Sequence, residues 1–257
     1  MNYVQYAEEL LEAEASCVGV APLTERNPSL TVADAYEIQL EMVKLKLANG
    51  KRVIGKKVGL TSVAMQKMLN VDEPDYGHLF DDMKLANNAT VKVDTMLSPK
   101  VEAEIGFMLA KDLDGPNVTF IDVMMATEYV IPTLEIIDSR VNDWKIKLVD
   151  TVADNGSSAR VVIGDSKLDL DAIDLRTNSM VLLKNGELLA TGAGSAALGH
   201  PAHAVAWLAN KLHEFGIGLK KGELILPGAL SGAVPVTAGD EIEARFGKLG
   251  SVKVRYE

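Results

Sequence analysis

Apolar and polar positions change their period twice along the chain. From Tyr3 to about Glu14 apolar residues recur at helical spacing, which predicts an amphipathic helix ending in a loop around Pro22 to Pro28. Thr31 and Asp34 form an N-terminal capping box, Gly50 is a suitable stop, and Tyr36, Leu40, Val43 and Leu47 lie on one stripe, so a second helix is expected between them. After Lys51 the pattern turns to period two. Arg52 to Val58 reads as a strand, Ser62 to Leu69 as a short helix and Glu73-Pro74-Asp75-Tyr76-Gly77 as an irregular loop. Further strands are expected at Thr90 to Val93, Val101 to Ala110, Tyr129 to Asp138, Arg160 to Ile163, Ser179 to Lys184 and Glu187 to Thr191. Asn185-Gly186 marks a hairpin, because a type I′ turn requires positive φ at both central residues. Pro201 to Phe215 then reads as a helix with proline in its first turn. Strands Glu241 to Phe246 and Ser251 to Tyr256 close the chain. The pattern predicts an α+β protein, with helices segregated around a curved mixed sheet and a change of subregion near Asp75: a small α/β region over 1–75 and a sheet-rich region over 76–257.

Composition narrows the function. The 257 residues are 47% hydrophobic and 24% charged, enough to bury one large core. With 36 acidic against 26 basic residues the net charge is -10, so no general positive field draws in nucleic acid or an anionic membrane. An acidic substrate would need a local cation. The single cysteine, Cys17, excludes an internal disulfide, and no cysteine or histidine cluster has zinc spacing. Glu8, Glu9, Glu12 and Glu14 stand where a signal peptide would be basic and then apolar, and no apolar run is long enough to span a bilayer. A cytoplasmic protein is expected.

Val101-Glu102-Ala103-Glu104-Ile105-Gly106-Phe107 alternates strictly, which places both glutamates on one strand face, their Cα atoms roughly 7 Å apart. A third acid, Glu135, interrupts the apolar run Val130 to Ile137. A buried lone carboxylate costs several kcal/mol unless it is paired, protonated or metal-bound. Three oxygen ligands without nearby cysteine or histidine favour Mg²⁺ or Mn²⁺ over zinc. The residues also permit a plainer reading, in which Glu102 and Glu104 are a solvated face and Glu135 partners Arg140 or a lysine. Lys56 and Lys57 must point to opposite faces of their strand, one inward and one outward. Asp75 can bind or activate water or simply form a turn. His200 reads as a structural helix cap, and Gly192 to Ala197 lacks a dinucleotide fingerprint.

Gly55-Lys56-Lys57-Val58-Gly59-Leu60-Thr61-Ser62, Glu73-Pro74-Asp75-Tyr76-Gly77, Glu102-Ala103-Glu104, Leu134 to Arg140, Asp150 to Asn155 and Leu198-Gly199-His200-Pro201 together resemble the 2-keto-4-pentenoate hydratase branch of the fumarylacetoacetate hydrolase superfamily. The resemblance runs from about Leu23 to the C-terminus. It implies a mixed β-roll after a small helical N-terminal region, a magnesium or manganese ion held by Glu102, Glu104 and Glu135, and a homo-oligomer, pentamer or decamer. It also implies a small 2-hydroxydienoate or 2-oxo acid substrate from aromatic ring cleavage. The dienol would become an α,β-unsaturated 2-oxo acid, and water would add at C4. The resemblance selects Lys57 as the pocket lysine, for proton handling or oxyanion binding, leaves Lys56 as a surface lysine, and makes Asp75 the companion catalytic group. Competing readings are a 4-oxalocrotonate decarboxylase, an acylpyruvate hydrolase and a non-catalytic protein whose metal only staples strands.

Overall fold

The structure, a computed structural model, describes residues 2–62, 66, 67, 71 and 73–257. Helices α1 (Tyr3–Ser16), α2 (Leu23–Arg26) and α3 (Val32–Ala48) come first. The Thr31–Asp34 capping box forms as expected, with Thr31 Oγ1 accepting from Asp34 N and the Asp34 carboxylate accepting from Thr31 N. The buried stripe of α3 differs from the expected one. It centres on Ala35, Ile38 and Met42, while Leu47 is 46% exposed. Lys46 takes the inward position instead, because its ammonium meets the Glu14 carboxylate of α1 at 2.7 Å.

The next strands are β1 (Val53–Gly59), β2 (Asp75–Phe80), β3 (Lys84–Ala86), β4 (Ala89–Val91) and β5 (Lys100–Leu109). Helix α4 (Phe120–Ala126), strand β6 (Thr127–Ile137), helix α5 (Leu148–Ala153) and strand β7 (Ser158–Ile163) follow. After the hairpin β8 (Ser179–Lys184) and β9 (Glu187–Ala193) come helix α6 (Pro201–His213) and strands β10 (Leu224–Leu226), β11 (Val234–Pro235), β12 (Glu241–Arg245) and β13 (Ser251–Tyr256). Asn185 and Gly186 both take positive φ, 55° and 83°, in the predicted hairpin turn. The short helix expected over Ser62 to Leu69 falls largely outside the described residues.

The larger sheet has the order β2-β1-β10-β5-β6-β7-β3, with β11 added beside β5. Its pairs are antiparallel except β1–β10 and β3–β7. The smaller sheet runs β4-β13-β12-β8-β9. The architecture is α+β with mixed sheets. Strands on both sides of Asp75 share the larger sheet, since β1 pairs with β2 and β10. Apolar side chains cover both faces of that sheet. Val101, Ala103, Ile105 and Phe107 enter the larger cluster, while Ile131, Val161, Leu224 and Leu226 form a smaller one. Among the described residues no helix is long and apolar enough to cross a membrane.

Two expectations change here. Glu73 to Gly77 is not all loop: from Asp75 onward the chain is strand β2, with Asp75 opposite Gly59 and Gly77 opposite Lys57. The glycine that suggested a turn is needed for packing, because a Cβ at Gly77 would lie 2.2 Å from the Asn155 carbonyl oxygen. Nor is Lys56 a surface lysine. Strand β1 is interior to the sheet, and Lys56 is only 2% exposed, with its Nζ 2.7 Å from both carboxylate oxygens of Glu223.

Candidate active site

Four strands bring the site together. Glu102 on β5 and Glu135 on β6 are direct register partners, and Glu104 lies two residues along the same face of β5, opposite Thr133. One carboxylate oxygen from each of the three lies within 4.8 Å of the others. Glu104 and Glu135 are buried, whereas Glu102 is partly open to a cavity. Glu104 Oε2 accepts a hydrogen bond from Gly228 N at 2.7 Å, but Glu104 Oε1 and both Glu135 oxygens are buried without a hydrogen-bond partner.

This donor set fits a hard divalent cation. Burial and the Glu135 charge push Glu102 up to about 7, and burial with the neighbouring carboxylates drives Glu104 well above the ordinary range. Glu135 is also raised by burial, which the Lys57 ammonium only partly offsets. Oxygen-only ligands, converging and short of positive charge, are the chemistry of magnesium, manganese or calcium sites. The plainer reading holds only in part: Glu135 does face a lysine, Lys57, at 3.7 Å, but Glu104 is not solvated and Arg140 is committed elsewhere. Its guanidinium pairs with Asp154 and donates to the Asp138 and Ser158 carbonyls.

Lys57 points into the site from β1. Its Nζ is 3.7 Å from Glu135 Oε2 and donates to the Gly156 carbonyl at 3.0 Å. Burial opposes its charge, but Glu135, Asp75, Glu102 and Glu104 outweigh that and hold its ammonium above the usual lysine range. Lys57 thus faces the carboxylate cluster as a cation held by Glu135 and the Gly156 carbonyl. The carbonyl it meets is presented by an unusual turn: Asn155, Gly156 and Ser157 all have positive φ, 56°, 60° and 54°. Asn155 is locked by a reciprocal pair of bonds with the His78 backbone.

Asp75 opens β2 beside Gly59. Its Oδ2 is 3.4 Å from the Thr151 hydroxyl, and its Oδ1 is buried without a partner. Lys57, Asp75, Glu102 and Thr151 share the wall of a cavity of about 210 Å³ with Lys100 and Trp144. A second cavity of about 330 Å³, lined by neutral groups such as Thr61, Ala196 and Leu230, adjoins it through Gly59, Leu60, Glu102 and Ala233. The structure thus brings all five candidate residues, Lys57, Asp75, Glu102, Glu104 and Glu135, to one place. Among the described residues no histidine lines either cavity: His78 faces the other side of the sheet, beside Lys56 and Gln39.

Sequence reading gave neither Lys100 nor Trp144 a place in the site, although Lys100 stands in the same alternation as Glu102. Its Nζ lies 3.9 Å above the Trp144 ring, whose Nε1 donates to the Ser98 carbonyl at 2.8 Å.

The chain with this mixed sheet and carboxylate cluster belongs to the fumarylacetoacetate (FAA) hydrolase C-terminal family, which its residues 53–256 match. Within it the chain is 49% identical over 251 residues to the 2-hydroxyhexa-2,4-dienoate hydratase of Comamonas testosteroni, covering 97% of this chain and 95% of that one. It is 46% identical over 251 residues to the 2-keto-4-pentenoate hydratase of Paraburkholderia xenovorans (strain LB400), covering 98% and 93%. Among solved structures it is similar to the 4-oxalocrotonate decarboxylase from Pseudomonas putida G7, complexed with magnesium and adipate, with a TM-score of 0.97, 40% identity and coverage of 100% of this chain and 97% of that one.

Proposed function

We propose that this chain is a divalent-metal-dependent hydro-lyase that hydrates 2-hydroxypenta-2,4-dienoate or a close homologue to a 4-hydroxy-2-oxo acid. The observation that carries the reading is the convergence of three carboxylates, three of their six oxygens buried and unpartnered, beside a charged lysine. Identities of 49% and 46% over nearly the full length to a 2-hydroxyhexa-2,4-dienoate hydratase and a 2-keto-4-pentenoate hydratase support the choice of reaction.

Glu102, Glu104 and Glu135 would hold the ion, magnesium or manganese. When bound, it supplies positive charge that offsets the substrate carboxylate and polarises the adjacent 2-oxo group. Lys57 contributes a second, fixed cation toward the C2 oxygen as the dienol becomes the unsaturated 2-oxo acid, a step in which the C2 hydroxyl loses a proton and C5 gains one. Asp75 has a free acceptor, Oδ1, in the same cavity. It suits the removal of a proton from the water that adds at C4 while a proton is delivered to C3. Burial of both groups keeps competing bulk water away from them.

A 4-oxalocrotonate decarboxylase is the second reading, favoured by the full-length likeness to the magnesium-bound enzyme of that name. An ultraviolet assay with 2-hydroxypentadienoate and 4-oxalocrotonate in parallel separates the two. Hydrated product from the first without CO₂ from the second supports the hydratase, and the reverse overturns it. The homo-oligomer is also proposed, supported by Leu188 and Leu189, 66% and 46% exposed on the strand at the end of the smaller sheet. Sedimentation of the purified protein tests it.

A further inference from the structure

We infer that Lys100, seated on the face of Trp144 in the wall of the active-site cavity, receives the substrate carboxylate together with the ion and so governs substrate affinity. This rests on reading the cavity as a 2-oxo acid site.

The argument begins with strand geometry. Alternation along β5 puts Lys100 on the face that carries Glu102 and Glu104, one pleat repeat nearer the strand end. Its β6 partner is Ile137, so beyond the Glu102–Glu135 pair the face changes from acidic to apolar with one cation. Lys100, Ile137, Trp144 and Ile146 then form one side of the 210 Å³ cavity.

Charge accounting singles out this lysine. The cavity wall carries Asp75 and Glu102, with Glu104 and Glu135 behind; the ion and Lys57 would offset three of these four negative charges, so an incoming carboxylate still meets a net negative site and needs a further cation. Two lysines line the cavity. Lys57 is engaged by Glu135 and the Gly156 carbonyl. Lys100 has no ion-pair partner among the described residues, although Glu102 stands two residues away on its own strand face. Its contact is the indole face of Trp144 at 3.9 Å. That contact holds the ammonium in place through the ring quadrupole and uses none of its N–H donors. The ring is itself fixed by the bond from Trp144 Nε1 to Ser98 O. A half-buried cation kept in place with its donors unspent, on the wall of an acidic cavity, is arranged for an anionic ligand.

The test uses full-length protein loaded with Mn²⁺ and pyruvate as a non-reacting probe. Calorimetry should show pyruvate binding weakened about tenfold or more in Lys100→Met and restored to within about threefold in Lys100→Arg. Mn²⁺ affinity should stay within about threefold of the parent. With 2-hydroxypentadienoate, Lys100→Met should raise KM by a similar factor while kcat changes little, and Trp144→Leu should do so to a smaller extent. Unchanged pyruvate affinity in Lys100→Met overturns the proposal. So does parallel loss of Mn²⁺ and pyruvate binding, which would make Lys100 a prop for the carboxylate cluster, and so does failure of the parent to bind pyruvate. If the parent hydrates no dienoate, the hydratase reading fails, and the pyruvate titration still decides the role of Lys100.

Discussion

Glu102 and Glu135 face one another as register partners across the β5–β6 ladder. Directly opposed residues of an antiparallel pair have Cβ atoms about 5 Å apart, a spacing at which like charges destabilise the sheet. Here Glu104 adds a third carboxylate to the same face, and Lys57 is the one ammonium found in an ion pair with the cluster among the described residues. The arrangement is costly for the polypeptide alone, and a divalent ion would remove the cost.

Metal should therefore stabilise the fold. At about 100 times its Kd a bound ion adds about 2.7 kcal/mol, which for a chain of this size raises Tm by about 5–10 °C. Glu104→Gln should abolish most of that rise. Its amide oxygen can still accept from Gly228 N, so the metal-free Tm should stay level or increase as a buried charge is removed. Thermal scans in chelator and in Mn²⁺ check this, and identical midpoints for the parent in the two conditions would sink the metal assignment.

Lys56 and Lys57 should separate stability from turnover. Lys57→Ala removes the ammonium nearest Glu135 and should lower kcat by about 10²–10⁴. Lys56→Ala leaves Glu223 short of its partner in a setting where both side chains are buried, and should cost about 3–5 kcal/mol of stability. Activity of the Lys56 variant below its melting temperature should stay near that of the parent. Urea unfolding with single-turnover assays on both variants decides the matter; a large kcat loss in Lys56→Ala would contradict the division.

These two lysines also show where sequence reading stops. Period-two alternation correctly separates their faces, just as it aligns Glu102 with Glu104. It cannot say that both faces are covered, because that depends on distant partners: Glu223 follows Lys56 by 167 residues. Strand β2 was missed for a related reason. Pro74 and Gly77 are local turn signals, yet pairing with Gly59 to Phe80's partner Val53 and the close approach of Asn155 override them. Arg140 was read as a possible partner of Glu135 and not as the partner of Asp154, since nothing in the alternation of one strand reports a contact made by the turn that follows α5. The Lys100–Trp144 contact joins a strand to a residue at positive φ, a geometry that no local pattern announces.

His78 should add a pH dependence to folding. Gln39 Nε2 donates to the Tyr76 and Val152 carbonyls, so Gln39 Oε1 is the acceptor and His78 Nδ1 carries the proton between them. Burial, with the nearby Lys56 charge, lowers the imidazole to about 3. The folded pKa lies below the unfolded value of about 6.5, so the unfolded chain binds the extra proton between those limits. Stability is complete above about 6.5 and is lost toward pH 3 at about 1.4 kcal/mol per pH unit from this residue. His78→Asn keeps a donor for Gln39 and removes the titration. The difference in unfolding free energy between parent and variant should carry this slope while other groups cancel; a pH-independent difference would refute it.

Gly59 should control Asp75 without touching the carboxylate cluster. A Cβ added at Gly59 would lie 2.2 Å from Asp75 Oδ1 and 3.0 Å from Lys57 Nζ, so Gly59→Ala must displace the Asp75 carboxylate. The backbone does not oppose the change, because Gly59 is not among the positive-φ glycines. If Asp75 handles the proton of the adding water, Gly59→Ala and Asp75→Asn should each lower kcat by about 10²–10⁴ while Mn²⁺ affinity and Tm remain near the parent values. Both changes act through one group. The double variant should therefore be no slower than the worse single variant, whereas independent effects would multiply. Full turnover in Asp75→Asn removes Asp75 from the chemistry, and a Gly59→Ala defect that multiplies with it would place the injury at Lys57, the other group that the new methyl approaches.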